Sequence, residues 1–225
     1  MMTSKEVIYS MGKLFNLDNS VMRFLTKIAD LCILNIIFII SCVPIITIGP
    51  AIVALYFVSF KMVKSEESYM FRSYLVAFKE NFKIGIKAGL VMLSFLAILY
   101  FSYRFATMLD ESWRGIFNVT SFLVLFPGMI MSLFLFPYIA RFKANLVKSI
   151  RNAMLIGIAS LPYTMILFII LVTFVAFLLL LMPTNYVGLI LITCWFSFLA
   201  FVQSFVFRKI FKKYEGVESN CKTKE

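Results

Sequence analysis

Residues 24–63 read FLTKIADLCILNIIFIISCVPIITIGPAIVALYFVSFKMV. The run is almost wholly apolar, yet Pro44 and Pro50 interrupt it with five residues between them. Proline has no amide hydrogen to give a helix and its ring clashes with the preceding turn, so the run divides into two helices. The first, from about Phe24 to Val43, is long enough to cross the roughly 30 Å of a bilayer's hydrocarbon core. The second, Ile48–Val63, reaches only about 24 Å at 1.5 Å per residue. It either crosses with Lys61 snorkelling to the interface or re-enters the side it came from.

The rest of the chain repeats this pattern of solid apolar blocks. Of its 225 residues, 62% are hydrophobic and 15% charged, against about half and about a quarter in soluble domains. The blocks point to an all-α, polytopic transmembrane helical bundle. A membrane β-barrel would instead alternate over segments of about 10 residues. Further spans are expected at about Ile84–Tyr103, Ile116–Tyr138 with Pro127–Gly128 as a kink, Met154–Leu181 with Pro162 near its start, and Tyr186–Phe207. Short amphipathic helices on the membrane surface are expected before residue 23 and over 64–83, where Met70, Phe71, Tyr74, Leu75, Phe78 and Phe82 share one face. Residues 1–218 read as one transmembrane domain and 219–225 as a polar tail, disordered beyond Glu218. No cleavable signal peptide is expected, because no short apolar core follows a basic start.

Charge decides the orientation. The formal net charge is +11, and the Lys and Arg residues lie between the apolar blocks, as in orientation signals beside anionic headgroups and unlike a nucleic-acid surface. Six spans with both termini cytoplasmic put 20 of the 22 Lys and Arg residues inside and leave only Arg104 and Arg114 outside. Five spans, with the N-terminus outside, keep at most 16 inside. The positive-inside rule favours six, and with six the Pro44–Pro50 break becomes an extracellular turn.

Several stretches carry a family resemblance. They are Gly12–Asp18, Met22–Phe24, Ala29–Leu31 through Asn35, Pro44–Pro50 to Ala54–Leu55–Tyr56, Phe71–Tyr74 with Phe78–Phe82, Pro137–Phe142 and Phe207–Phe211. Together they resemble the YesL-like family of bacterial integral membrane proteins, a family of unknown function. The resemblance implies a multi-pass plasma-membrane protein with an accessory role in carbohydrate uptake or its regulation, whose partners would be carbohydrate ABC-type transport subunits. It supplies no catalytic residue.

Chemistry-bearing residues are few. There is no histidine, which removes Ser-His and Cys-His pairs and the commonest metal ligand. The four cysteines show no ligand spacing and read as small buried hydrophobes. Nothing resembles a nucleotide-binding loop, so no cofactor is expected and an enzyme is not. Asp30 and Asn35 lie on the first span. Asp30 is read as a packing partner for Arg23, Lys27 or a basic residue of 141–151, against a proton or ligand role. Asn35 and Gln203 are read as interhelical hydrogen-bonding groups. Thr47 and Gly49 form the break, with a discontinuous-helix ligand site as the functional alternative. Arg104 is expected to pair with Asp110 and Glu111. Arg72, Lys79, Lys83, Arg141 and Lys143 are candidates for anionic lipid or a cytoplasmic partner. Asn152–Ala153, Gly157 and Leu161–Pro162 faintly resemble the coupling loop of ATP-driven permeases without its acidic residue. The second functional reading is a small secondary transporter, which at this length would act as an oligomer.

Overall fold

The computed structural model describes residues 20–64, 69–142, 144–181 and 185–222. Among these residues eight α-helices follow one another: α1 Ser20–Cys42, α2 Ile48–Val63, α3 Met70–Glu80, α4 Phe82–Met108, α5 Glu111–Arg141, α6 Leu146–Ala159, α7 Leu161–Leu181 and α8 Asn185–Lys222. A single 3-10 turn, Ile45–Thr47, joins α1 to α2, and the described residues contain no strand. Among the described residues, four segments are long and apolar enough to cross a membrane: Leu25–Cys42, Ile45–Val63, Phe82–Met108 and Glu111–Arg141. A fifth arises if Leu146–Ala159 and Leu161–Phe177 count as one span bent by 99°.

Aromatic contacts fix the relative directions of the helices. Phe134 and Tyr138 of α5 meet Phe207 and Phe211 of α8 in that order, and Tyr56 and Phe60 of α2 meet the same two rings. Helices α2, α5 and α8 therefore run the same way. Their basic ends gather together, and Arg208 donates from Nη1 to the Val63 carbonyl at 3.1 Å, where a cation meets the negative end of the α2 dipole. Helix α4 runs opposite to α5: Phe95 lies on Gly128, Phe105 on Phe117, and Arg114 donates to the carbonyls of Ala106 and Leu109. Helix α6 returns along α5, with Asn152 Nδ2 donating to the Tyr138 hydroxyl at 2.8 Å and Gly157 against Ile130.

Helix α2 is the centre of the fold. Eleven of its 16 residues are buried, from Gly49 to Val63, and it packs on α1, α3, α4, α5 and α8. In contrast, every buried residue of α5 lies between Ile130 and Ala140, and its first half faces outward. The bundle is thus packed at its basic end and opens away from it. Lipid and protein are equally apolar, so such packing rests on close contact and on small residues that permit it.

Four expectations need correction. Met154–Leu181 is not one straight helix: the helix stops at Ala159, and α7 leaves at a steep angle because Pro162 cannot continue the ladder. The 64–83 segment is not one interfacial helix, since α3 ends at Glu80 and Phe82 already belongs to α4. Its buried face is Ser73, Tyr74 and Ala77, whereas Phe71 and Leu75 are exposed. Arg104 makes no ion pair with Asp110 or Glu111 among the described residues; Arg114 closes that turn by capping carbonyls. Helix α8 continues to Lys222, past the expected start of disorder at Glu218. The expected surface helix before residue 20 and Lys143 lie outside the described residues.

Candidate functional site

The Pro44–Pro50 break is closed by its own hydroxyls. Thr47 Oγ1 lies 2.6 Å from the carbonyls of both Ser41 and Pro44 and donates to one of them. Ser41 Oγ donates back to Ile37 at 2.8 Å. The backbone N–H groups of Val43 and Thr47 reach the carbonyls of Ile40 and Pro44. Thr47 therefore caps the end of α1 and makes no side-chain cap to α2. These bonds use the hydroxyls of the break and the N–H groups of Val43 and Thr47 within the turn itself.

Gly49 does something else. A Cβ there would come within 2.9 Å of the Gly85 carbonyl carbon and closer still to its oxygen, with the Gly89 Cα at 3.2 Å. A Cβ on Gly85 would meet Pro50 Cα at 2.6 Å. The two helices cross backbone to backbone, and Gly85-x-x-x-Gly89 supplies the flat face that this requires. That spacing was readable in the sequence as a packing motif, though not the partner it would choose.

The intramembrane polar residues separate into pairs. Asn35 is fully buried, and its Oδ1 accepts from the Ser197 backbone N–H at 3.2 Å and from Ser197 Oγ at 3.4 Å. Gln203 is also buried, and its Oε1 accepts from the Tyr56 hydroxyl at 2.5 Å, while its Nε2 finds no acceptor among the described residues. Both tie α8 to the hairpin of α1 and α2, the interhelical role expected of them. Sequence reasoning missed the partners Tyr56 and Ser197, because a hydroxyl on an apolar helix is silent until the facing helix is known. Asp30 is half buried and shows no ion pair or hydrogen bond with Lys27 among the described residues, while the side chains of Arg23 and Lys143, two of its expected partners, lie outside the described residues. The five polar candidates do not converge: Thr47 and Gly49 serve the break, Asn35 and Gln203 the α8 seam, and Asp30 joins neither group among the described residues.

Between α1, α2 and α8 lies an open cavity of about 410 Å³, lined by Phe38, Cys42, Ile52, Leu55, Tyr56 and Phe196 among others. Its walls are apolar and hold no acid–base pair. Cys42 is a free thiol, half buried, whereas Cys32 is disulfide-bonded, its partner lying outside the described side chains. That bond corrects the reading of Cys32 as a plain hydrophobe. No group of three His, Cys, Asp or Glu residues able to hold a metal exists among the described residues.

At the basic end, Lys61 Nζ lies 3.4 Å from Ser73 Oγ and 5.0 Å from the centre of the Phe57 ring. Arg72, Lys79 and Lys83 are exposed, and Arg141 is half buried. Lys148, Arg151, Arg208, Lys209, Lys212 and Lys213 are also exposed. Burial pushes the Tyr74 phenol above its usual range, and the neighbouring Ser41 hydroxyl offsets only part of this.

A family model described as "Protein of unknown function, DUF624" matches residues 31–103. That range covers α2, α3, most of α1 and most of α4, including the break and the glycine crossing. No curated protein matches the chain, and no solved structure does.

Proposed function

We propose that this chain is a multi-pass protein of the bacterial plasma membrane whose basic end and both termini face the cytoplasm. In that setting it acts as an accessory component of carbohydrate uptake or of its regulation, without enzymatic activity of its own. The observation that carries the reading is the gathering of the ends of α2 and α5 with residues 208–213 of α8 into one cationic surface. Anionic headgroups and acidic faces of cytoplasmic partners are the chemistry such a surface attracts. The charge count supports this orientation when Phe24–Val43 and Ile48–Val63 enter and leave as a pair, so that Lys27 and Lys61 stay on one side. The link to sugars rests on the resemblance to YesL-like proteins, and ABC-type transport subunits are the partners it suggests. Helix α6, with Lys148 and Arg151 outward, is the element best placed to dock one.

The test is purification in mild detergent combined with sugar uptake in a deletion strain. Recovery of transport subunits and a defect on particular sugars are the expected results. An isolated protein together with unchanged uptake sinks the proposal. A stand-alone transporter, acting as an oligomer, is the second reading, and the unpartnered Gln203 Nε2 favours it. It requires reconstituted protein to move a solute and Gln203→Leu to abolish that movement.

A further inference from the structure

Residues 31–60 contain no charged side chain, and the turn at their centre is apolar and outward-facing. Val43, Ile45 and Ile46 are 77%, 69% and 67% exposed. Water is a poor solvent for three such side chains, each worth about 1.5–3 kcal/mol when fully removed from it. Hydrocarbon suits them, provided the backbone satisfies itself, because irregular backbone at membrane depth has no water to bond. Here the Thr47 and Ser41 hydroxyls bond to carbonyls at the end of α1, and the N–H groups of Val43, Thr47 and Ile48 find acceptors within the turn, which meets much of that need.

The position of the turn follows from its neighbours. Gly49 and Pro50 touch Gly85 and Gly89, and Lys87 lies between those two glycines, with Lys83 two residues before the first. Both lysines are exposed. A Lys at the bilayer centre costs about 2.5–3.5 kcal/mol, so these two hold the start of α4 near the headgroups. With 1.5 Å of rise per residue, Gly89 lies about 3 Å along the axis from Lys87, whereas along α2 Gly49 stands about 21 Å from Val63, which meets Arg208 at the basic end; the two bounds place the turn between that headgroup level and the bilayer centre. Independently, Tyr74 on the charged helix α3 rests against Ser41 at the end of α1. Because α4 runs opposite to α5, its start lies at the basic end. An extracellular turn would instead stand a full bilayer, about 30 Å, from Lys87.

We infer that α1, the 3-10 turn and α2 form a re-entrant hairpin that enters and leaves on the basic side, with Val43, Ile45 and Ile46 immersed in the acyl chains of that leaflet. The hairpin lies inclined, as the length of α1, about 34 Å, demands. The positive-inside count survives unchanged, since both ends of the hairpin stay on the basic side. This inference does not depend on the sugar-uptake proposal, because the test is internal to the chain.

The test uses membrane-impermeant maleimide on full-length protein whose only reactive thiol is introduced, at Ile46→Cys, Glu111→Cys or Lys213→Cys. Glu111→Cys should label from one face, Lys213→Cys from the other, and Ile46→Cys from neither. In parallel, Ile46→Trp, in a background lacking Trp113 and Trp195, should be quenched severalfold by lipids brominated on their acyl chains, with Val43→Trp as a second position. Labelling of Ile46→Cys from the Glu111 face restores a complete crossing and overturns the inference. Labelling from the Lys213 face, or a tryptophan that brominated chains leave unquenched, overturns it equally.

Discussion

The chain breaks its helices twice by nearly the same chemistry. At Pro44–Pro50, Thr47 Oγ1 closes on Ser41 or Pro44 and Ser41 Oγ on Ile37. At Ser160–Pro162, Thr164 Oγ1 closes on Gly157 or Ser160, Ser160 Oγ closes on Ile156, and the Tyr163 and Thr164 N–H groups close on Ser160. In each, a serine and a threonine supply bonds near a proline-containing interruption of the ladder. What differs is the packing around them. Gly49 meets the backbone of another helix, whereas Gly157 meets the Ile130 side chain and the Phe134 ring. Hydroxyl closure makes a break tolerable in an apolar medium, and only the glycine crossing makes it a rigid joint.

The largest expected effect separates the two joints directly. Gly49→Ala or Gly85→Ala places a methyl against main chain that cannot rotate away. Overpacking of this kind costs about 1–3 kcal/mol and sometimes more, and here the upper end or loss of a monodisperse protein is expected. Gly157→Ala asks only that Ile130 change rotamer, at about 1 kcal/mol. Thermal unfolding in detergent with size-exclusion profiles measures both. Equal losses at the two glycines would mean that the crossing is no more rigid than the bend.

Next comes the seam between α2 and α8 beyond the first break. Gln203→Leu leaves the buried Tyr56 hydroxyl without an acceptor, at about 1–3 kcal/mol. Tyr56→Phe should cost about 1 kcal/mol, and the double variant less than the two combined. Membrane double-mutant cycles average about 0.6 kcal/mol for such pairs, so a coupling near zero would remove this hydrogen bond as a reason for the seam. The second break carries no comparable polar tie among the described residues; α7 meets α8 farther along, where Phe177 stacks on Trp195 and Phe174 lies tilted against it.

How far all this was legible follows from the same two breaks. Apolar blocks, charge asymmetry and proline positions foretold helices, interruptions and the shared basic end, because each is a property of one segment. Pro162 was seen, but its 99° consequence was not, since a proline near a helix start is compatible with either a straight entry or a bend. The extracellular placement of the first break came from counting charges. That count cannot distinguish a hairpin that crosses the bilayer from one that turns back, because both return Lys61 and Lys64 to the same side. Contact between Gly49 and Gly85 is what distinguishes them, and it joins residues 36 positions apart. Asn35 and Gln203 were found because an amide on an apolar helix is conspicuous, whereas Tyr56 and Ser197 became partners only through the register of α8.

Smaller effects test the hydroxyl closures. Thr47→Val and Thr164→Val are volume-conserving in outline, and each removes one hydroxyl donor, at about 0.5–1.5 kcal/mol. If the first joint is held mainly by glycine contact, Thr47→Val should lower the unfolding temperature less than Thr164→Val. The opposite order would make hydroxyl closure, and not the crossing, the source of rigidity.

The smallest effect has the opposite sign. The Tyr74 hydroxyl is buried beside the first break, and no described atom accepts from it. Tyr74→Phe should therefore be close to neutral near pH 7, because the lost hydroxyl had no bond to lose. Burial raises the folded-state pKa of this phenol above the unfolded value of about 10. The stability linked to its protonated form is complete below that value and drains away as pH rises through and beyond it, since the unfolded chain ionises first. The wild-type protein should lose stability on the alkaline side of pH 10 more steeply than Tyr74→Phe, and the curves should meet below about pH 9. Tyr163 at the second break is exposed, so a Phe there provides the matched control. A Tyr74→Phe curve parallel to wild type through pH 11 would mean that solvent reaches the phenol and that α3 is not sealed against the end of α1.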